Sequence, residues 1–297
     1  SGYAGYVLDN VTFRGNVSFG GVDPGAFINM TDVTLGGSPT GSALAFPDML
    51  TNVTVAVLRV RAPENRGSPI TPNAITFGGL EDCRVSLEAC ALTAGTGGTG
   101  LQFGRQIRSS LSLDGVSISG AGFLVGVDMR ATLAGSTVSI ANVAVSAGSG
   151  ANTTALWFWN GPPDQGCRIA VTNMTATGVV LGIKLPNGDT AFSLSDSRLH
   201  ASVNVLAIAG GTSAFAGQLI VSRTSYQPAT AVGLAVKGSA RVGDITITIS
   251  ECSHDWSVDD PTDGLAHATV SLCETATATL RGSRTSTLDS PLARETA

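Results

Sequence analysis

The fold of this chain is decided by the stretch Leu111-Ser112-Leu113-Asp114-Gly115-Val116-Ser117-Ile118. Two apolar residues flank a polar one, a two-residue polar turn follows, and two more apolar residues then stand at alternate positions. Because successive side chains leave opposite faces of a pleated chain, alternation at every second residue is typical of a β-strand with one buried face. The turn residues, Asp and Gly, favour a bend. The stretch therefore predicts a strand, a bend and a second strand.

The same spacing occurs eleven times along the chain, with successive starts 22 to 32 residues apart. Repeats of this length are typical of solenoid proteins. Each unit is too short to bury its own apolar face, so it must stack on its neighbours. The clearest copies start at Tyr6, Ile28, Val53, Leu111 and Val138, and weaker copies start at Val85, Ile169, Phe192, Leu219, Ile247 and Val270.

A third short apolar pair follows 14 to 22 residues after most starts, as in Leu44-Phe46, Leu101-Phe103 and Leu156-Phe158. Three strands per repeat indicate a parallel β-helix, in which each strand hydrogen-bonds to its equivalent one coil away. We predict an all-β fold, a single right-handed parallel β-helix of about 11 coils over residues 1–280, followed by a polar C-terminal tail over residues 281–297. Because the chain enters its first coil without a leader, we interpret it as a fragment of a longer protein.

The composition agrees with a solenoid located outside the cell. Only 13% of residues are charged, and glycine is abundant at 37 residues. The net charge is −5 and no cluster of Lys and Arg occurs, which argues against a nucleic-acid partner. No apolar run approaches the roughly 18 residues that span a bilayer, so we expect membrane attachment only through parts of a parent chain.

Six of the twelve asparagines lie in Asn-x-Ser/Thr sequons. The repeat register places each of them in a turn, at an outward strand position or in a connecting segment. Sequons in these positions predict N-glycosylation, and hence passage through the secretory pathway to the cell surface or the extracellular space. The asparagines are Asn10, Asn16, Asn29, Asn52, Asn152 and Asn173.

Five cysteines fit an oxidising compartment. Cys83 and Cys90 are assigned to the inward side of one repeat, and Cys252 and Cys273 lie near the same bend of consecutive repeats. We predict a disulfide within each of these two pairs, with free buried thiols as the alternative. Cys167 is then either buried or paired beyond this chain.

The sequence offers little catalytic chemistry. Glu88 and Asp114 occupy equivalent turn positions, which would bring two carboxylates about 5 Å apart, but solvated turn residues are the simpler interpretation. The acidic segment at residues 259–264 lacks the ligand alternation of a calcium loop, and the glycine-rich segment at residues 95–100 has no following helix to meet a phosphate. His200, His254 and His267 are scattered. We therefore expect neither enzymatic activity nor a metal or cofactor.

Two tryptophans, Trp157 and Trp159, are predicted to point outward because Leu156 and Phe158 point inward. Two exposed indoles on a strand face favour binding of a sugar ring or a partner chain. The alternative is that the loop at residues 160–166 folds back over them. The residues assigned to equivalent outward positions in other repeats are small or polar: Gln102, Gly126, Lys184, Ala207 and Ala235.

The repeats also resemble those of a known family. The units VLDNVTF (7–13), INMTDVTL (28–35), LSLDGVSIS (111–119), STVSIANVAVSAG (136–148) and CRIAVTNMTATG (167–178) are similar to the coils of the dispersed gene family surface proteins of trypanosomes and related kinetoplastid membrane-associated proteins. The resemblance implies a giant glycosylated β-helical surface protein that acts in adhesion to host or matrix. It implies no catalytic residues.

Together these features predict a non-catalytic, glycosylated structural or adhesive β-helix at the cell surface or outside the cell. Its partners would be host, matrix or neighbouring surface proteins or glycans. Two alternatives remain open at this stage. One is the subunit of an extracellular filament assembled end to end through unpaired strand edges. The other is a polysaccharide-active lyase or hydrolase, classes that share this fold without fold alone implying function.

Overall fold

The computed structural model describes residues 4–36, 41–62, 73–129, 131, 133–148, 153–158, 164–186, 188–209, 215–227, 231–237, 242–251, 256–260, 268–271 and 277–280. Within these ranges the chain contains 28 β-strands and no helix. Every strand pairing recorded between them is parallel, as between Arg84–Glu88 and Ser110–Asp114. The predicted all-β parallel solenoid is therefore confirmed.

The strands form two sheets that face each other across one core. Sheet A has 11 strands, in the order β1 (Gly5–Asp9), β3 (Phe27–Thr31), β5 (Thr54–Leu58), β8 (Arg84–Glu88), β11 (Ser110–Asp114), β15 (Thr137–Ala141), β18 (Asp164–Thr172), β20 (Gly188–Ser195), β22 (Phe215–Ser222), β25 (Val242–Ser250) and β27 (Ala268–Ser271). Sheet B has 17 strands: β2 (Val17–Ser18), β4 (Ser42–Thr51), β6 (Arg61–Ala62), β7 (Asn73–Glu81), β9 (Ala91–Thr93), β10 (Thr99–Ile107), β12 (Ser117–Gly120), β13 (Val125–Met129), β14 (Leu133–Ala134), β16 (Ala144–Ala147), β17 (Thr154–Phe158), β19 (Thr175–Lys184), β21 (Arg198–Ala209), β23 (Ser225–Gln227), β24 (Val232–Lys237), β26 (Ser257–Asp260) and β28 (Thr277–Leu280).

The path of one coil explains the repeat. Strand β8 belongs to sheet A, strand β9 follows after one corner, and strand β10 returns along sheet B before the next sheet A strand begins. The predicted start residues are register partners, since Val85 pairs with Leu111 and Leu111 pairs with Val138. One start is displaced by two residues: Ile28 pairs with Val55 rather than with Val53. A pattern of period 2 fits equally well after a shift of two residues, so the apolar run there did not determine its own register.

Core side chains stack on their equivalents one coil away. Phe46, Phe77 and Phe103 stack almost parallel, with ring centroids 4.6 and 5.0 Å apart, and Phe19 continues the column 5.2 Å from Phe46. Further along sheet B, Met129 is the register partner of Phe158, so a methionine is followed by another phenylalanine. The core residues predicted in the repeats are buried, including Leu113, Val116, Ile140, Val143, Val171 and Phe192.

The corner after each sheet A strand from β1 to β25 turns through one residue with positive φ. Asn10, Asn142 and Asn173 have φ values of 51°, 54° and 51°. Asn, Asp and Gly tolerate this left-handed conformation better than other residues, which explains the predicted two-residue turns. The backbone ladder continues through the corner, because the N–H of Asn142 donates to Thr172 O and that of Asn173 donates to Ser195 O.

One core column contains a polar exception. Gln106 is fully buried on sheet B, with Leu80 and Leu133 as its register neighbours and Leu50 one coil further. Among the described residues, neither Nε2 nor Oε1 of Gln106 has a hydrogen-bond partner. A buried amide in this state costs free energy, so this position is a weak point of an otherwise apolar column.

Candidate functional site

Charged side chains at the corners are paired along the coil axis. Arg59 donates to both carboxylate oxygens of Asp32 at 2.7 Å, and Arg223 donates to both oxygens of Asp196 at 2.6 and 2.9 Å. The hydrogen bond from each guanidinium holds the pKa of its aspartate below the ordinary value. These pairs are exposed, so they orient neighbouring coils more than they stabilise them. The ion pairs are Asp32–Arg59, Asp82–Arg108 with Glu81, and Asp196–Arg223 with Glu251.

The two carboxylates singled out by spacing, Glu88 and Asp114, are indeed register partners in sheet A. Both are exposed at the end of their strands. Asp114 accepts a hydrogen bond from Asn142 Nδ2 at 2.6 Å, and Asn142 in turn accepts one from Asn173 Nδ2 at 2.7 Å. The Asp114 carboxylate is thus the end of an amide ladder along the corner.

The described sequon asparagines are all exposed: Asn10, Asn16, Asn29, Asn52 and Asn173. Asn152 lies outside the described residues. Asn29 stands at the centre of strand β3 on the outer face of sheet A, and the other four lie in corners or connections. Each described side chain can therefore be reached from solvent.

Three sequons have a second, structural cause. Asn10, Asn52 and Asn173 are corner residues with positive φ, a conformation that favours Asn. Each is followed by a residue that points toward the core and then by a Thr at an outward or strand position. The same repeat produces Asp32-Val33-Thr34, which has the spacing of a sequon without its asparagine. The fold alone therefore generates part of the glycosylation signal.

The predicted disulfide between Cys83 and Cys90 is wrong, because both residues are free buried thiols. The whole of strand β8 lies between them. At about 3.3 Å per residue that strand separates their Cα atoms by more than about 16 Å, and a disulfide requires roughly 4.4–6.8 Å. The alternation of apolar residues correctly predicted that both cysteines point inward. It did not take into account the length of the strand that separates them. Cys252 and Cys273 lie outside the described residues, and Cys167 is a buried free thiol.

The thiols act as corner hydrogen-bonding groups. Cys83 Sγ lies 3.2 Å from Leu50 O and from Glu81 O and accepts the N–H of Val53 at 3.4 Å. Ser109 occupies the next coil's equivalent corner, where its Oγ bonds Ile107 O at 2.9 Å and accepts the N–H of Cys83 at 3.1 Å. Cysteine and serine therefore serve the same structural purpose here. Burial raises the pKa of the Cys83 and Cys90 thiols.

Trp157 lies in a row of polar side chains on the outer face of sheet B. Its register partners are Asp128 on one side and Lys184 on the other, with Gln102 beyond Asp128. The sequence had assigned Gly126 to this row, but the strand register places Asp128 there. We name Gln102, Asp128, Trp157 and Lys184 the polar row; at about 4.8 Å per coil it is roughly 15 Å long.

Trp157 is half-buried, and the Lys184 ammonium lies 4.4 Å from the centroid of its ring. This cation–π contact covers one face of the indole. Asp128 is only 1% exposed, so the carboxylate forms the base of the row rather than its rim. Trp159 lies outside the described residues, so a platform of two tryptophans stays a prediction. At the end of the row, Gln102 Oε1 accepts a hydrogen bond from Asn73 Nδ2 at 2.9 Å, so Asn73 lies beside the row.

The outer face of sheet A is the second extended surface. Its central column carries mostly small side chains, and a shallow depression of about 330 Å³ lies over strands β15, β18, β20 and β22. Its lining includes the long side chains of Arg168, Gln218 and Ile220 and the small side chains of Ala170 and Ser193. The small side chains of the central column project only a short distance from the backbone, so the centre of this face is nearly flat.

Strand β1, at one edge of sheet A, exposes apolar side chains: Val7 is 62% exposed and Phe27 of the neighbouring strand is 45% exposed. End-to-end association, predicted from the sequence, would use such an edge. It stays a prediction.

The remaining sequence motifs are the glycine-rich segment, the acidic segment and the histidines. Residues 95–98 form a turn that leads into strand β10, to which Thr99 and Gly100 belong, and Asp259 lies within strand β26. His200 is exposed, whereas His254 and His267 lie outside the described residues. Among the residues with described positions, no group of three His, Cys, Asp or Glu side chains could hold a metal ion. The same residues include no helix long and apolar enough to cross a membrane.

Comparisons with protein-family models, with curated proteins and with solved structures found no match to this chain.

Proposed function

We propose that this chain is a non-catalytic structural or adhesive element at the cell surface or outside the cell, built as a right-handed solenoid of about 11 coils. The observation that carries the proposal is that charged side chains at the corners pair with side chains of neighbouring coils. Arg59, Arg108 and Arg223 are engaged by carboxylates of neighbouring coils, and Asp114 is engaged by an amide ladder. Charges arranged in this way hold coils in register, and the faces between them suit extended binding rather than chemistry in a cleft.

Glycosylation and an extracellular location belong to the same proposal. Their support is the exposure of the five described sequon asparagines and the resemblance of the repeats to kinetoplastid surface proteins. Asparagines on the surface of the folded chain can carry a glycan without disturbing the core. Asn29 is the most informative of these sites, because an outward strand position has no conformational preference for Asn.

For the adhesive surface we propose the polar row, with a glycan or a partner protein as its ligand. Trp157 supplies an amphipathic ring and Gln102 an amide, the groups that contact sugar rings and hydroxyls. The buried base formed by Asp128 keeps the row rigid. A rigid row loses little conformational entropy when a ligand binds.

The test uses protein secreted from eukaryotic cells. Peptide mass mapping should find hexose-bearing modification at Asn29, and a printed array of mammalian glycans should show binding that Trp157→Ala weakens at least tenfold. Ser139→Ala, on the opposite sheet, is the matched control and should change nothing. Binding that is indifferent to Trp157→Ala would reject the polar row. Turnover of a polysaccharide that disappears with Glu88→Gln would reject the non-catalytic proposal.

A further inference from the structure

The outer face of sheet A is a regular lattice of small side chains. Its central column, followed by strand register, runs Ala56, Ser86, Ser112, Ser139, Ala170, Ser193 and Ile220. From Ala56 to Ser193, no side chain extends beyond Cβ or Oγ. Faces with such low relief allow a second sheet to approach closely and evenly.

Charges on this face are sorted by column. The outward residue two positions before the central one forms one flanking column, which contains Arg84 and Arg168, and the outward residue two positions after it forms the other, which contains Glu88 and Asp114. All four side chains are exposed. Among the described residues, Arg84 and Arg168 make no ion pair, in contrast to the three corner arginines. The two columns therefore carry opposite charges, and the exposed carboxylate of Asp189 lies two residues before Ala191 of the column that contains the arginines.

We propose that two copies of this chain associate through this face about a twofold axis parallel to the coil axis. Such an axis reverses the strand direction of the second copy and keeps equivalent coils at the same height. The column that contains Arg84 in one copy then faces the column that contains Glu88 in the other. Arg84 meets Glu88 of the second copy, and symmetry makes this contact twice. In the centre, Ser112 meets Ser112 and Ser139 meets Ser139.

Charge complementarity selects this arrangement over the other face-to-face twofold. An axis along the strands would invert the order of the coils and place each column against itself. With the seven strands β5 to β22 in full overlap, Arg84 would then face Ala191 of the second copy and not Glu88. Only the twofold parallel to the coil axis makes the two Arg84–Glu88 contacts, and complementary charges of this kind favour one arrangement over another.

The available area indicates a weak dimer. Strands β5 to β22 of sheet A number seven. They cover about 34 Å along the axis and about 16 Å along the strands, which is roughly 1,100 Å² for both copies. Specific interfaces bury about 1,200–2,000 Å², so we expect association in the micromolar range. Asn29 of strand β3 is the register partner of Ala56, so it lies on the same face about 4.8 Å from this area. A glycan at Asn29 would crowd the second copy, so the association is proposed for the chain without a glycan at this position.

The experiment is sedimentation velocity on the whole chain, produced without glycans, at concentrations up to about 100 µM. We expect a monomer–dimer equilibrium that Arg84→Glu weakens at least tenfold, because residue 84 would then face Glu88 with the same charge. The double change Arg84→Glu with Glu88→Arg should restore the dimer, since both contacts are inverted together. Both positions are exposed, and circular dichroism should show unchanged folding for each variant.

Three outcomes would overturn the proposal. One is a chain that remains monomeric at the highest concentration. The second is a dimer that is unaffected by Arg84→Glu, as expected for end-to-end contact through strand β1. The third is a double variant that fails to recover, because only the twofold parallel to the coil axis pairs residue 84 with residue 88. None of these outcomes depends on Trp157 or on glycan binding, so they are separable from the proposed adhesive function.

Discussion

Replacing Gln106 by Leu should stabilise the protein, although it changes a residue at the centre of the core. Leu50, Leu80 and Leu133 already occupy the other positions of this column. The substitution removes two buried polar atoms that lack partners among the described residues, and each such atom costs about 1–3 kcal/mol. Leucine is slightly bulkier, so repacking takes back about 1 kcal/mol. The net expected gain is about 2 kcal/mol.

The assay is urea unfolding followed by far-ultraviolet circular dichroism. With a slope of about 3 kcal/mol/M for a chain of this size, the midpoint should rise by roughly 0.7 M. Leu50→Gln is the matched control: it adds a second amide to the same column, two coils from Gln106 and out of its hydrogen-bonding reach, and should lower the midpoint by at least as much. A lower midpoint for Gln106→Leu would refute the reasoning, because it would mean that the amide binds a partner such as an internal water.

Two further changes test the core and the corners. Ile140→Asp should unfold the neighbouring coils, since burial of an unpartnered carboxylate costs several kcal/mol, whereas Ile140→Val should cost only about 1 kcal/mol; equal melting temperatures for the two variants would contradict the core assignment. Cys83→Ser should keep the corner hydrogen bonds seen at Ser109 and stay within about 1 kcal/mol of the parent protein in thermal melts. Burial raises the pKa of the Cys83 thiol in the folded state above its unfolded value of about 8.5. The contribution of this thiol to the free energy of unfolding is therefore fully present below the unfolded pKa and is lost as the pH rises through the folded pKa. Cys83→Ser should reduce this loss. Rapid alkylation of the native protein at Cys83 would contradict its burial.

The polar row shows how far the pairing of residues between coils can be predicted from the sequence. Leu156 and Phe158 identified the outward direction of Trp157 correctly, because alternation depends only on the residues of one strand. The neighbour Asp128 was missed, since the segment between strands β12 and β13 has its own length and the count of residues from the repeat start does not carry across it. A carboxylate at an apparently outward position of the next coil was the signal that could have found it.

The sequence determined the class of the fold and the inward residues of most coils, because period-2 alternation and corner residues that accept positive φ are local properties. It also identified the column at the end of the sheet A strands that holds Glu88 and Asp114. Only the tertiary structure decided which residues of adjacent coils meet: that Ile28 pairs with Val55, that strand β8 separates Cys83 from Cys90, and that Asp128 lies beside Trp157. The physical reason is that contacts between coils depend on the length and path of every intervening connection, a property that no single repeat contains.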